Sequence, residues 1–272
     1  MDNTEPSICV TCGATYPASE APPDACAICE DDRQYVGHGG QRWTTLAGMR
    51  ATGYRNVITE LEPGLVAIRT EPRFAIGQRA LLVRTPAGNL LWDCTSYVDE
   101  ATVSLIDSLG GMHAIAISHP HFYTGMAAWS AAFHGVPVYL HADDRRWIQR
   151  PADHQILWEG ERLEPLPGMT VIRCGGHFPG SAAMHWRDGA AGAGVLLSGD
   201  TVMVAQDRGM VSFMHSFPNQ IPLPAARVER LAAALAPHRF ERIFDGWTEV
   251  VAGGDQIVQE SAARYIRALR TG

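Results

Sequence analysis

From about residue 53 onward, apolar residues recur in short blocks whose spacing switches between period two and a helical period. "NVITELEPGLVAIRT" alternates on both sides of Pro63-Gly64 and predicts two strands around a turn. "RALLVRTPAGNLLWDC" predicts a hairpin turning at Pro86-Ala87-Gly88-Asn89. "YVDEATVSLIDSLG" has helical spacing and closes on a glycine pair suited to a C-cap. A strand "HAIAIS", a small-residue helix "GMAAWSAAFHG", a strand "VPVYLH" and a helix "DDRRWIQR" follow. The second half repeats this texture with strands "MTVIRC", "AAMHW" and "GVLLSGD", an amphipathic helix "LPAARVERLAAALAP", a strand "ERIFDG" and a closing helix "DQIVQESAARYIRALR". Two strand-rich halves, each with its helices, predict an α/β fold of four layers, αββα.

Residues 1–42 lack this periodicity and are rich in Cys, Pro, Gly and Asp. A segment that short builds no core of its own and needs a staple. The expected division is a small domain over 1–42 and a larger one over 43–272, with a linker or bridging turn at about 43–52. "RQYVGHGGQRW", at the end of the small segment, is expected to lay it against the larger domain and to shape the mouth of a pocket there.

Composition narrows the function. The chain has 272 residues, 46% hydrophobic and 19% charged, with a formal net charge of −7. No Lys/Arg-rich block offers a nucleic-acid surface, and no run approaches the roughly 18 apolar residues of a membrane helix. The start, "MDNTEPSICVTCG", is acidic and polar, unlike a secretory signal. The expected location is the cytoplasm and the expected partner a small molecule, not nucleic acid or membrane. The oligomeric state is open, a homodimer included.

Four of the six cysteines stand as Cys9-x-x-Cys12 and Cys26-x-x-Cys29. In a chain of this kind such pairs suggest metal knuckles, four thiolates completing a tetrahedron. A second ligand pattern lies in "ISHPHFYTGM", where His119 and His121 stand two apart at the end of an apolar strand. In extended chain these side chains share a face about 6.6 Å apart, close enough to converge on one cation. Three further strand ends carry candidates: His177 in "CGGHFPGS", Asp200 in "LLSGDT", and Asp245 with Trp247 in "IFDGWTEVV". His113, His141 and His185 fit structural positions, and Cys174 fits a small buried hydrophobe.

The order of "SHPH", "GGHFPGS" and "SGDT" resembles the metallo-β-lactamase-fold superfamily over about residues 53–272. That resemblance implies the four-layer sandwich and a metal site in which His119, His121 and His177 hold one ion. It makes Asp200 the carboxylate that usually bridges two. The chain departs from the family in the other half of the site. Tyr123 and Thr124 stand where second-site ligands are expected, and Gly246-Trp247 replaces a terminal Gly-His. One metal is therefore expected there, and β-lactamase activity is not. Zinc suits such a donor set and lowers the pKa of bound water to about 7. Asp200 is the expected proton acceptor, and Tyr123 the expected hydrogen-bond donor to an oxyanion. "CVTCGATYPASEAPPDACAIC" resembles rubredoxin-like knuckles and zinc ribbons. It lacks the proline common in rubredoxins after the third cysteine, Ala27 standing there, which favours a structural zinc.

The leading expectation is a metal-dependent hydrolase that uses a single metal-bound water or hydroxide on a small ester, lactone or thioester-like substrate. Two alternatives stand beside it. One is an iron-dependent oxidoreductase similar to the persulfide dioxygenases, with His119, His177 and Asp200 as ligands. The other is a non-catalytic metal-binding protein of the same fold. Iron fits either donor set, the central one or the four cysteines.

Overall fold

Period-two alternation along the central segments is realised as sheets with two apolar faces. The structure, a computed structural model, describes residues 5–271. The first four positions of the expected N-terminal domain, and Gly272, lie outside the described residues.

Strands β1 (Ser7–Cys9), β2 (Thr15–Tyr16) and β3 (Trp43–Thr44) form an antiparallel ribbon in the order β2-β1-β3. Helix α1 (Leu46–Ala51) follows, capped by Thr45, whose side chain accepts from Gly48 N. The linker expected at 43–52 is therefore a strand and a short helix. Its signal is weak because β3 has two residues and α1 buries only Met49. Ile8 and Met49 pack with Phe74 and Tyr97, which joins ribbon and larger unit through apolar contact.

The first sheet has seven strands: β4 (Arg55–Glu62), β5 (Leu65–Glu71), β6 (Arg79–Thr85), β7 (Gly88–Trp92), β8 (Ala114–Ala116), β9 (Val138–His141) and β10 (Gln155–Trp158). They lie side by side in chain order, antiparallel from β4 to β7 and parallel from β7 to β10. Helices α2 (Glu100–Ser108) and α3 (Met126–Ala132) cover its outer face. The helix expected from "DDRRWIQR" is a 3-10 segment over Ala142–Trp147.

The second sheet begins with β11 (Arg162–Leu166), β12 (Met169–Arg173), β13 (Ala182–Trp186) and β14 (Val195–Gly199). Two small antiparallel pairs interrupt it, β15 (Met203–Val204) with β16 (Val211–Ser212) and β17 (Met214–Ser216) with β18 (Ile221–Pro222). Strands β19 (Arg242–Asp245) and β20 (Glu249–Val250) complete the order β11-β12-β13-β14-β19-β20. Helices α4 (Ala225–Leu235) and α5 (Gly254–Thr271) cover its outer face.

Alternate residues of each strand feed different cores. Val66, Ile68, Leu82 and Leu91 face α2 and α3, while Leu65, Ala67, Leu81, Val83 and Leu90 face the other sheet. There they meet Val171, Met184, Val195, Leu197 and Phe244. Each buried Leu or Val contributes roughly 1.5–3 kcal/mol relative to exposure. The four-layer αββα arrangement expected from the sequence is thus the fold observed. No described helix is long and apolar enough to cross a membrane.

The carboxyl ends of β7, β8, β12, β14 and β19 gather at one edge. Trp92 pairs with Ala116 in the first sheet, and Gly199 with Asp245 in the second. The sheets are tied together there by Ala182 N–H donating to Ser118 O at 2.9 Å. Loops leaving that edge carry the chemistry.

Candidate metal centre

Each candidate ligand leaves a strand end. His119 and His121 follow β8, His177 follows β12 and Asp200 follows β14. The two-residue spacing of His119 and His121 works differently from the extended chain expected. His119 is extended, but Pro120–Phe122 form one turn of 3-10 helix, and that turn folds His121 back toward His119. Their ring centroids lie 5.1 Å apart, and both lie about as close to the ring of His177.

Asp200 completes the group. His119 Nε2 lies 2.7 Å and His177 Nε2 3.6 Å from its Oδ1, and His121 Nδ1 lies 3.7 Å from its Oδ2. One ligand atom from each of the four residues falls within 4.8 Å of every other. A tetrahedral ion bound at about 2.0–2.1 Å spaces its ligand atoms about 3.3 Å apart, so the cluster matches one ion. Gly199 makes the approach possible. It adopts φ +57, and a Cβ there would lie 2.5 Å from Ser118 Oγ.

Neighbouring groups fix which nitrogens face inward. Ser118 Oγ–H donates to Asp93 Oδ1 at 2.8 Å, so its oxygen accepts from His119 Nδ1–H at 2.9 Å. His177 Nδ1–H donates to Met214 O at 3.0 Å. Both histidines therefore turn an Nε2 lone pair inward, as outer hydrogen bonds do for metal-bound imidazoles. His119 Nε2 and Asp200 Oδ1 are buried without a hydrogen-bond partner among the described residues, as suits donors to a cation. Burial pushes all three histidines down, His177 to about 4, so they stay neutral and keep their lone pairs.

The positions that break the family pattern lie elsewhere. Tyr123 leaves the 3-10 turn toward Trp147 and the ribbon residues Thr15 and Ile28, lining a separate small cavity. Burial pushes its hydroxyl well above the ordinary value. The oxyanion-donor role expected of Tyr123 finds no support in this placement. Thr124 Oγ1–H donates to Cys94 O at 3.1 Å. Trp247 does line the metal cavity, its Nε1–H donating to Ile76 O at 3.1 Å. Asp245 is structural, accepting from the backbone N–H of Val204, Trp247 and Thr248. Cys174 is buried, and burial pushes its thiol up to about 12, which rules against a nucleophile. Among the described residues, two clusters gather three or more metal-ligating side chains: this one and the four cysteines.

Those cysteines are unpaired by disulfides and buried. Cys9 Sγ lies 3.6 Å from Cys29 Sγ, and Cys12 Sγ 3.5 Å from Cys26 Sγ. Four thiolates about 2.3 Å from one ion stand about 3.8 Å apart, so the set fits a metal. Gln41 Nε2–H and the Tyr16 hydroxyl donate to Cys9 and Cys26 sulfur.

The ribbon also builds part of the central site. Arg33 Nε–H donates to His177 O at 2.7 Å, and its guanidinium lies 4.5 Å over the Phe178 ring. Phe178 in turn packs on His119, His121 and His177. A cavity of about 410 Å³ opens on His121, His177 and Asp200, with Gln34 and Tyr35 of the ribbon among its walls. His119 lies behind it. Sequence reasoning placed "RQYVGHGGQRW" near the mouth but could not single out Arg33 and Gln34, because one Arg and one Gln on a loop carry no pattern.

No protein-family model matches the chain. Solved structures of similar fold include the metallo-β-lactamase FIM-1 from Pseudomonas aeruginosa in a mono-zinc form, with TM-score 0.58 and 16% identity, covering 79% of this chain and 96% of that one. The metallo-β-lactamase DIM-1 matches with TM-score 0.59 and 14% identity over 79% of this chain and 98% of its own. At such identities the likeness shows the fold. A relative matches along nearly all of its length: the uncharacterized protein YmaE of Bacillus subtilis (strain 168), 48% identical over 266 residues and covering 97% of each chain. An alignment of that extent runs through the cysteine ribbon as well as the larger unit. The chain belongs to the family of this Bacillus subtilis protein and is built on the metallo-β-lactamase fold.

Proposed function

We propose that the protein is a metal-dependent hydrolase that holds one ion between His119, His121, His177 and Asp200 and cleaves a small ester, lactone or thioester. The observation that carries this reading is the convergence of three neutral imidazoles and one carboxylate, of which His121, His177 and Asp200 line an open cavity. A volume of about 410 Å³ suits a small-molecule substrate. Zinc is the ion that best suits the donors, and the fold neighbour FIM-1 is known in a mono-zinc form. His121 joins the cluster, which favours this four-donor set over two histidines and a carboxylate holding iron. The cysteine ribbon holds a second, structural zinc.

When bound, zinc polarises a carbonyl and makes water nucleophilic near neutral pH. His119, His121 and His177 would hold the ion, His119 and His177 with tautomers fixed by Ser118 and the Met214 carbonyl. Asp200 would complete the ligand set and is the carboxylate placed to accept the proton that water loses. The hydroxyl group so formed would add to the acyl carbon, and the C–O or C–S bond would break as the leaving oxygen or sulfur takes the proton back from Asp200, giving the acid and an alcohol or thiol. Trp247 and Phe217 wall the cavity and limit the size of the acyl group.

The test is a screen of zinc-loaded protein against 4-nitrophenyl acetate, simple lactones and acyl thioesters, beside Asp200→Ala. Hydrolysis by wild type, slowed about 100-fold or more in the variant, is expected. Zinc bound in the histidine site with no turnover of any class would sink the reading.

A further inference from the structure

Gln34 is buried, with only 5% of its surface exposed, yet it lines the cavity above His121, His177 and Asp200. Its carboxamide makes no hydrogen bond among the described residues, and Oε1 is fully buried without a partner. Burying an unpaired amide costs about 1–3 kcal/mol, so such a group is kept in place by its surroundings. The surroundings do hold it. Asn219 Nδ2 donates to Asp32 O at 3.0 Å and to Gln34 O at 2.9 Å, and Ser216 Oγ–H donates to Arg33 O at 3.1 Å. Three successive ribbon carbonyls are thus clamped by the β17–β18 segment, and Arg33 clamps the ribbon to His177 from the other side.

We propose that Gln34 is a substrate-contacting residue: its side-chain N–H, delivered to the metal cavity by the cysteine ribbon, hydrogen-bonds the acyl oxygen of the bound compound. This rests on the hydrolase reading for its substrate. It supplies the donor that Tyr123, turned into another cavity, does not. The other polar walls agree in sign. Arg73 is a donor, Gln206 carries an amide N–H, and the one acid lining the cavity is Asp200, which faces the histidines. A donor-rich cavity in a chain of net charge −7 selects acyl compounds rich in acceptor oxygens. The ribbon is then part of the binding site, and an intact ribbon metal is required for tight binding.

The experiment uses full-length protein with cobalt in the histidine site, whose visible spectrum reports ligand binding independently of turnover. Two probes are titrated. Acetohydroxamate presents two acceptor oxygens to the cavity, and azide is a small ligand that reaches the ion alone. Gln34→Leu should weaken acetohydroxamate about tenfold, the loss of one buried hydrogen bond, and leave azide within twofold. Gln34→Glu, an acceptor where a donor stood, should weaken acetohydroxamate further. Equal affinity of wild type and Gln34→Leu for acetohydroxamate overturns the proposal. So does a parallel loss for both probes, which would mark a structural role. Discrimination between the probes without hydrolysis of any ester, lactone or thioester would sink the hydrolase reading and leave the Gln34 contact standing.

Discussion

Arg33 Nε–H, from the cysteine ribbon, donates to the backbone carbonyl of His177, a metal-site histidine, across 2.7 Å. The side chain is buried, pairs with Asp31 at 2.7 Å and stacks on Phe178. Arg33→Ala removes a charged donor from a buried carbonyl and a cation from an aromatic face. A loss of about 1.5–3 kcal/mol of stability is expected, together with weaker metal binding at the histidine site. Thermal unfolding and competition with a chelator measure the two effects. An unchanged midpoint and unchanged metal affinity would show that the seam is passive.

Tyr123 gives a prediction of the opposite kind. It packs in the core with α3 and borders the small cavity shared with Trp147, Thr15 and Ile28. Tyr123→Phe should keep full occupancy of the histidine site and turnover within twofold of wild type. A loss of turnover near 100-fold would return the residue to the active site.

The sequence reached the fold further than it reached the pocket. Both hairpins, the αββα layers and the two clusters of candidate metal ligands follow from patterns that physics repeats: alternation for sheets, paired knuckles for thiolates, strand ends for ligands. What escaped the sequence has no period. β1 to β3 have two or three residues each, and α1 has six. The direction of Tyr123 depends on one 3-10 turn at Pro120, which alternation along a strand misplaces by a face. Gln34 and Arg33 matter through contacts with Asn219, Ser216 and His177, more than 140 residues away, and no local spacing encodes that.

Asp144 predicts the pH dependence of stability. Its Oδ1 accepts from Gly180 N–H at 3.0 Å, at the end of the His177 loop, while Oδ2 is buried without a partner among the described residues. Burial pushes this carboxyl up to about 7, against the pull of the Gly180 N–H. The folded value is raised above the unfolded one of about 3.9, so the folded state holds the proton longer. Its stabilisation is complete below about pH 4 and is lost as pH rises to about 7, at roughly 1.4 kcal/mol per pH unit at most. Asp144→Asn should therefore gain stability relative to wild type across that window and hold a constant difference above it. Parallel melting profiles from pH 4 to 8 would contradict the assignment.

The ribbon metal is expected to be structural. Cys12→Ser should remove one ion, lower the melting temperature and weaken acetohydroxamate at the distant histidine site, because Gln34 and Arg33 travel with the ribbon. Calorimetry and the cobalt titration measure both. A variant that loses the ion but keeps probe affinity would separate the ribbon from the cavity.

Metal content per chain, measured by elemental analysis on wild type and on the double variant His119→Ala/His121→Ala, bears on everything else. Two zinc ions in wild type and one in the variant are predicted, the survivor held by Cys9, Cys12, Cys26 and Cys29. One ion in both proteins would mean that the four converging side chains hold no metal, and the hydrolase reading would fall with them.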